Sequence, residues 1–128
     1  MKLTRVMIKV KDYRKSFDFY KNTLGLKLSQ SWQRNDSWGA LFSAGNAVIE
    51  IIWFPSGSDL DDCNYLPQRD KFEIDLEVSD VDIWYQRLSA AGASIVGKPR
   101  DVLWGYRLFT IKDPDNIPIV ISQPKTAR

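Results

Sequence analysis

The side chains most able to do chemistry in this sequence are carboxylates on predicted strands. Glu50 lies within the apolar run 48–52, while Glu73 and Asp75 are two residues apart on another strand. Carboxylates in such positions can hold a basic ligand, bind a hard cation or, when the pKa is raised, accept a proton. Arg5 alternates with apolar residues on a third predicted strand, which places its positive charge on the face away from the core. Residue types alone do not separate these uses, and no catalytic residue is assigned.

The absence of histidine restricts the possible reactions. Without imidazole the chain lacks the commonest general base, the Ser–His and Cys–His pairings, and the usual ligand for zinc, iron and nickel. The single cysteine, Cys63, cannot form an internal disulfide, so a free thiol in a reducing compartment is predicted. A divalent cation held by carboxylates alone stays open as an alternative.

Aromatic side chains are a second resource for ligand binding, since five of the 128 residues are tryptophan. Trp38 and Trp104 each begin a predicted strand and each precede a glycine, so they are candidates to wall a cleft and stack on a planar ligand. Phe42 and Tyr106 are further candidates for the same wall. Packing in a sheet core or at a dimer interface explains each of these residues equally well.

The elements that carry these residues occur twice along the chain. The strand segment 6–12, a helical stretch and Leu24-Gly25-Leu26 return as the strand segment 74–80, a helical stretch and Ala91-Gly92-Ala93. Each half then ends with a turn and an apolar strand. An internal repeat of this kind indicates one supersecondary unit used twice.

The repeat predicts an α+β fold in which each half is a strand, a helix and three more strands. Neither half buries enough surface alone, so we expect two tandem βαβββ modules that form a curled mixed sheet around a cleft. The single domain of residues 1–128 is divided into module 1 at about 1–54, a linker at about 55–70 and module 2 at about 71–123.

Composition argues against several kinds of partner. Charged residues make up 27% of the chain with a net charge of +2, and basic residues are mixed with acids, which disfavours nucleic acid. No apolar run approaches the roughly 20 residues that span a bilayer, and the N-terminal residues lack the apolar core of a signal peptide. We therefore expect a cytoplasmic protein that binds a small molecule and contacts neither nucleic acid nor membrane.

A set of short motifs recurs in a characteristic order: Val10-Lys11-Asp12, Phe19-Tyr20, Leu24-Gly25-Leu26, Val78-Ser79-Asp80-Val81, Ala90-Ala91-Gly92-Ala93, Trp104-Gly105-Tyr106-Arg107 and Asp113-Pro114-Asp115-Asn116. Their order and spacing resemble the vicinal oxygen chelate superfamily of glyoxalase I, bleomycin-resistance proteins and extradiol dioxygenases. The likeness extends over residues 3–123. It implies paired βαβββ modules, usually assembled as a homodimer with clefts lined by both modules.

The resemblance also identifies four cleft positions, occupied here by Arg5, Glu50, Glu73 and Val120. Metal-dependent members place His, Glu or Gln there, and only Glu50 matches a ligand in its usual place. The Arg5 guanidinium has no free lone pair, and Val120 has no donor atom. We therefore predict loss of the metal site and no cofactor. Arg5 would supply the positive charge and pair with Glu50 and Glu73.

Three functions remain open from the sequence. We favour a metal-free, dimeric protein that binds and sequesters a planar aromatic or basic compound such as an antibiotic, with charge from Glu50, Glu73 and Asp75. One alternative is a metal-dependent lyase, isomerase or dioxygenase-like enzyme that uses the same carboxylates. The other is a non-catalytic interaction module. Residue types do not decide whether Arg5, Glu50 and Glu73 form a closed ionic cluster or an open binding site.

Overall fold

The computed structural model describes residues 1–65 and 73–125, which belong to two compact units. The end of the predicted linker, at 66–70, and Phe72, the predicted first residue of a strand, lie outside the described residues. No helix in the described part of the chain is long and apolar enough to cross a membrane.

The first unit has a helix followed by a π-helical turn, packed on one face of a four-stranded sheet. Its strand order is β1-β4-β3-β2, with β1 parallel to β4 and the other pairs antiparallel. Its elements in chain order are β1 (Arg5–Lys9), α1 (Tyr13–Asp18), the π-helical turn (Phe19–Thr23), β2 (Lys27–Gln33), β3 (Trp38–Ala44), β4 (Ala47–Trp53) and a 3-10 helix (Asp61–Tyr65).

The second unit repeats this arrangement. Its strand order, β5-β8-β7-β6, again places the first strand parallel to the last and next to it. The elements are β5 (Ile74–Glu77), α2 (Val81–Ala90), β6 (Ser94–Val102), β7 (Tyr106–Lys112) and β8 (Pro118–Pro124). The predicted α+β class and the two βαβββ modules are therefore confirmed.

One strand extends further than the sequence indicates. The composition of 97–101 predicts a break after Val96, but β6 continues to Val102. A shift of register between Val96 and Arg100 absorbs the intervening residues as a bulge opposite β7. Arg100 therefore lies on a strand and not in a loop.

Local side chains fix the junctions between elements. Asp12 begins α1 by accepting the backbone N–H of Lys15 at 3.1 Å, and Asp80 begins α2 by accepting that of Ile83 at 3.1 Å. In the last hairpin, Asp113 accepts two backbone N–H groups of its own turn, at 2.8 and 2.9 Å. Each half of the repeat thus carries its own start signal.

Each helix covers one face of its own sheet. In the first unit Phe17 and Tyr20 pack on Phe42, and in the second the ring of Tyr85 lies 5.4 Å from that of Phe109. Because side chains alternate along a strand, residues next to these core positions project to the opposite face. In the first sheet, that opposite face carries Arg5 and Glu50; in the second, it carries Glu73 and Val120.

Candidate functional site

The face of the second sheet that points away from α2 forms a pocket of about 660 Å³. Pockets for drug-sized molecules span about 300–1,000 Å³, so this one can hold a whole small molecule. Its floor combines apolar and hydroxyl-bearing side chains from the two central strands: Val120 and Ser122 on β8, and Leu108 and Thr110 on β7. A floor of this kind suits a flat, largely apolar ligand.

Three carboxylates border the pocket along β5. Glu73 directly precedes the strand, and Asp75 and Glu77 follow at two-residue spacing, so all three project to the same face. A side-chain hydrogen bond to Asp75 raises the pKa of Glu73 above its ordinary value, with burial and the negative charge of Asp75 adding to the effect. Such a bond between two carboxyl groups requires one shared proton.

These pocket acids differ from other acids of the same unit in their counter-ions. Asp82 and Asp101 pair with Arg107 at 3.0 and 3.1 Å, and Lys125 reaches Asp101 at 3.0 Å. The hydrogen bond from Arg107 lowers the pKa of Asp82, and those from Lys125 and Arg107 lower the pKa of Asp101. In the described part of the chain, no lysine or arginine forms an ion pair with the three pocket carboxylates.

The opposite side of the pocket is aromatic. Trp104 lies in the three-residue turn between β6 and β7 and is 70% exposed, while Tyr106 begins β7. Gly105 follows at φ 86°, a conformation that glycine adopts without strain, and this closes the tight turn. Arg100 on β6 also borders the pocket. An indole this exposed at a pocket rim is available to stack on a ligand.

In the first unit, Arg5 and Glu50 form an ion pair. Arg5 Nη1 donates to Glu50 Oε1 at 3.0 Å, and the Glu50 side chain is 5% exposed whereas that of Arg5 is 55% exposed. In the sheet register, Glu50 lies between Met7 and Leu41. A carboxylate so buried requires a partner, and Arg5 provides it as predicted. The pKa shift of Glu73, by contrast, identifies Asp75 as its hydrogen-bond partner.

Phe42, a predicted ligand-binding residue, lies in the core of the first unit. It has no exposed surface, and its ring lies 5.7 Å from that of Phe17 and 5.9 Å from that of Tyr20. Its strand neighbour Leu41 is the residue paired with Glu50. Phe42 therefore projects to the helix-covered side and is not available to a ligand.

Trp38 lies on the same helix-covered side of the first sheet. Its ring is 5.7 Å from Tyr13 and 4.9 Å from Trp53, and the guanidinium of Arg14 lies 5.7 Å above it. Together with neighbouring residues these rings line a shallow recess of about 230 Å³. Trp38 is thus separated by the sheet from the face that carries Glu50.

The sequence interpretation missed Glu77, Arg100 and Trp32. Glu77 continues the two-residue spacing of Glu73 and Asp75, and that spacing was the signal for it. Arg100 belongs to the segment 97–101, whose composition is typical of a loop, so the sequence did not place it on a strand. The ring of Trp32 lies against Gly39, where a Cβ atom would overlap it, and so it fills part of the face that carries Glu50.

The residues present do not fit the metal site that the fold implies. Among residues 1–65 and 73–125, no group of three or more cysteine, aspartate or glutamate side chains converges where an ion could be held. Of the four cleft positions, Arg5 is a cation bonded to Glu50, and Val120 has no donor atom.

Residues 2–121 match the Glyoxalase family profile, described as the Glyoxalase/Bleomycin resistance protein/Dioxygenase superfamily. The chain therefore belongs to this superfamily, as its motifs indicated. It is 33% identical over 121 residues to the Uncharacterized protein YraH of Bacillus subtilis (strain 168), a match that covers 91% of this chain and 93% of the relative.

Solved structures show the same fold. TnmS3, an antibiotic binding protein from Streptomyces sp. CB03234, is similar with a TM-score of 0.73 and 24% identity, over 97% of this chain and 96% of TnmS3. The trypanothione-dependent glyoxalase I of Leishmania major has a TM-score of 0.73 at 18% identity, over 96% and 86% of the two chains. At these identities the likeness concerns the fold alone, because one fold hosts many activities.

Proposed function

We propose that the protein binds a planar aromatic small molecule with a cationic group, without a metal ion, in the pocket of the second unit. The observation that supports this most is the occurrence, in one pocket, of an exposed tryptophan and three carboxylates that form no ion pair with any lysine or arginine of residues 1–65 and 73–125. The negative charge comes from Glu73, Asp75 and Glu77. Glu50 is excluded from this role because Arg5 already neutralises it.

The energies of the separate contacts are consistent with this function. A cation or aromatic ring stacked on Trp104 contributes about 0.5–2 kcal/mol. Apolar contact with the floor adds about 25 cal/mol for each Å² removed from water, and the exposed carboxylates contribute selectivity more than affinity. The entropic cost of association offsets part of these contributions, so the net affinity is smaller than their sum. TnmS3, which has the same fold, is an antibiotic binding protein, and this is in keeping with a sequestering role.

Three dyes with one xanthene skeleton test the proposal. Rhodamine 123 is a cation, rhodamine 110 a zwitterion and fluorescein an anion, so they differ mainly in charge. We expect fluorescence anisotropy to show rhodamine 123 binding at least tenfold more tightly than fluorescein. Equal binding of the two dyes, or no binding of either below about 1 mM, would contradict the proposed function.

Replacing Trp104 by alanine tests the aromatic side of the pocket. We expect the affinity for rhodamine 123 to fall about 2- to 30-fold, because the stacking contact is lost. The free energy of unfolding should change by less than about 0.5 kcal/mol, since the side chain is exposed. Trp84→Phe is the matched control, because Trp84 lies on α2 beneath the guanidinium of Arg87. If both variants lower the affinity equally, Trp104 does not contact the dye.

The Glu73–Asp75 pair predicts a pH dependence of binding. Because the pKa of Glu73 is raised in the folded protein, Glu73 binds its proton more tightly there than in the unfolded chain. Protonated Glu73 therefore stabilises the fold at low pH, and this stabilisation is lost as the pH rises through the raised pKa. Binding of a cation requires the ionised pair. As the pH is lowered, the affinity for rhodamine 123 should therefore begin to fall while the pH is still above 4.5, the ordinary pKa of glutamate.

Anisotropy titrations between pH 4 and pH 8, in roughly unit steps, measure this dependence. In Glu73→Gln the fall in affinity should move to lower pH, because the carboxyl group with the raised pKa has been removed. Asp62→Asn, an exposed acid in the 3-10 helix of the first unit, is the control. An unchanged profile in Glu73→Gln would show that Glu73 does not govern binding.

A further inference from the structure

The pocket of the second unit is charged at both sides, with opposite signs. Its acidic side is β5 and its basic residue, Arg100, is on β6, and these are the two edge strands of the sheet. Three strand spacings separate them, or about 14 Å along the sheet. Between them lies the floor of Val120 and Leu108. A ligand that covers this floor therefore meets carboxylates at one end and a guanidinium at the other.

Among the described residues no carboxylate forms an ion pair with Arg100. Its neighbour Asp101 is engaged by Arg107 and Lys125 at 3.1 and 3.0 Å. Arg100 thus presents its donors to the pocket without a competing internal partner.

The first unit has the same strand arrangement but does not have opposite charges on its two edge strands. Trp32 pairs with Gly39 at the register position where Arg100 pairs with Leu108. Arg5, Met7 and Lys9 occupy β1 where the second unit has its three carboxylates on β5. The same backbone therefore holds an acidic strand opposite an arginine only in the second unit.

We infer that the ligand is amphoteric: an aromatic molecule with a cationic group near β5 and a carboxylate or similar anionic group that Arg100 binds. This inference rests on the proposed function and deepens it by naming the charge class. A guanidinium binds a carboxylate through two parallel hydrogen bonds, a contact that also orients the ligand. The separation of the two ligand charges is shorter than the distance between the edge strands, because side chains from both project into the pocket.

Rhodamine 110 and rhodamine 123 test the inference, because they differ at one group only. Rhodamine 110 has a free carboxylate where rhodamine 123 has the methyl ester. We expect rhodamine 110 to bind about tenfold more tightly, the effect of one charge-assisted contact of about 1.4 kcal/mol. Arg100→Gln should abolish this preference, so that the two dyes bind with the same Kd. Arg87→Gln on α2 is the control and should keep the preference.

The outcomes separate this inference from the proposed function. The inference of an amphoteric ligand is wrong if rhodamine 123 binds as tightly as rhodamine 110, or if Arg100→Gln lowers the affinity for both dyes equally. Either result leaves the proposed binding of a cationic ligand uncontradicted. If rhodamine 123 binds no better than fluorescein, the proposed function fails first. Unchanged circular dichroism and melting temperature of Arg100→Gln would establish that the variant is folded, as expected for an exposed side chain.

Discussion

Phe42→Ala should lower the free energy of unfolding by about 3–5 kcal/mol, the usual loss for removing a fully buried aromatic ring. Phe42 has no exposed surface and contacts the rings of Phe17 and Tyr20, so its removal leaves a cavity between the helical segment and the sheet of the first unit. Urea denaturation followed by circular dichroism measures the loss. The affinity for rhodamine 123 in native conditions should stay the same, because Phe42 does not border the pocket of the second unit.

Phe42→Leu separates packing from ligand binding if the alanine variant is too unstable to purify. Leucine keeps most of the apolar volume, so a smaller loss of stability is expected, again with unchanged dye affinity. A Phe42 variant that melts like wild type but binds rhodamine 123 tenfold more weakly would restore Phe42 as a ligand-binding residue. That result would contradict the packing role described above.

Arg5→Ala should destabilise the protein by about 1–3 kcal/mol, because it leaves the carboxylate of Glu50 buried without its cation. The 55% exposure of Arg5 keeps the loss below that of a fully buried pair, since water can partly replace the guanidinium. The double variant Arg5→Ala/Glu50→Gln should recover part of the loss, since a neutral amide is less costly to bury than a carboxylate.

A double-mutant cycle in urea denaturation measures this interaction as the departure from additivity, expected at about 0.5–3 kcal/mol. Lys9→Ala is the control on the same strand and should change stability by less than about 0.5 kcal/mol. If Arg5→Ala changes the free energy of unfolding no more than Lys9→Ala does, the ion pair does not stabilise the fold. Glu50 would then become available again as a ligand-binding group.

The fold was largely predictable because its signals are local and repeated. Asp12 and Asp80 each cap a helix through a backbone N–H three residues ahead, and the turn around Asp113 is built from its own side chain. Signals of this kind act within a few residues and do not depend on the rest of the chain. The end of β6 was not predictable in this way, because its pairing beyond the bulge at Val96 is decided by β7.

The candidate site was predictable only in part, because a side chain's face depends on register between strands. Glu73 and Asp75 share a face by simple alternation, and both border the pocket. The prediction that Phe42 lines a binding cleft was wrong, because the two-residue turn at Gly45 sets which residue of β4 Phe42 opposes. That turn pairs Phe42 with Ile49 and Leu41 with Glu50, so the ring enters the core. No composition or spacing rule supplies this register by itself.

The turn that carries Trp104 has a consequence for how binding preference changes over time. Its ends are fixed by the pair Val102 and Tyr106 and by the N–H of Lys125, which donates to the carbonyl of Gly105 at 2.9 Å. At its tip Leu103 is fully exposed and Trp104 is 70% exposed, so substitutions there leave the sheet intact. A lineage that carries this fold can therefore exchange its ligand through a few surface mutations at little risk to folding, which makes this turn the first place to diversify in directed evolution.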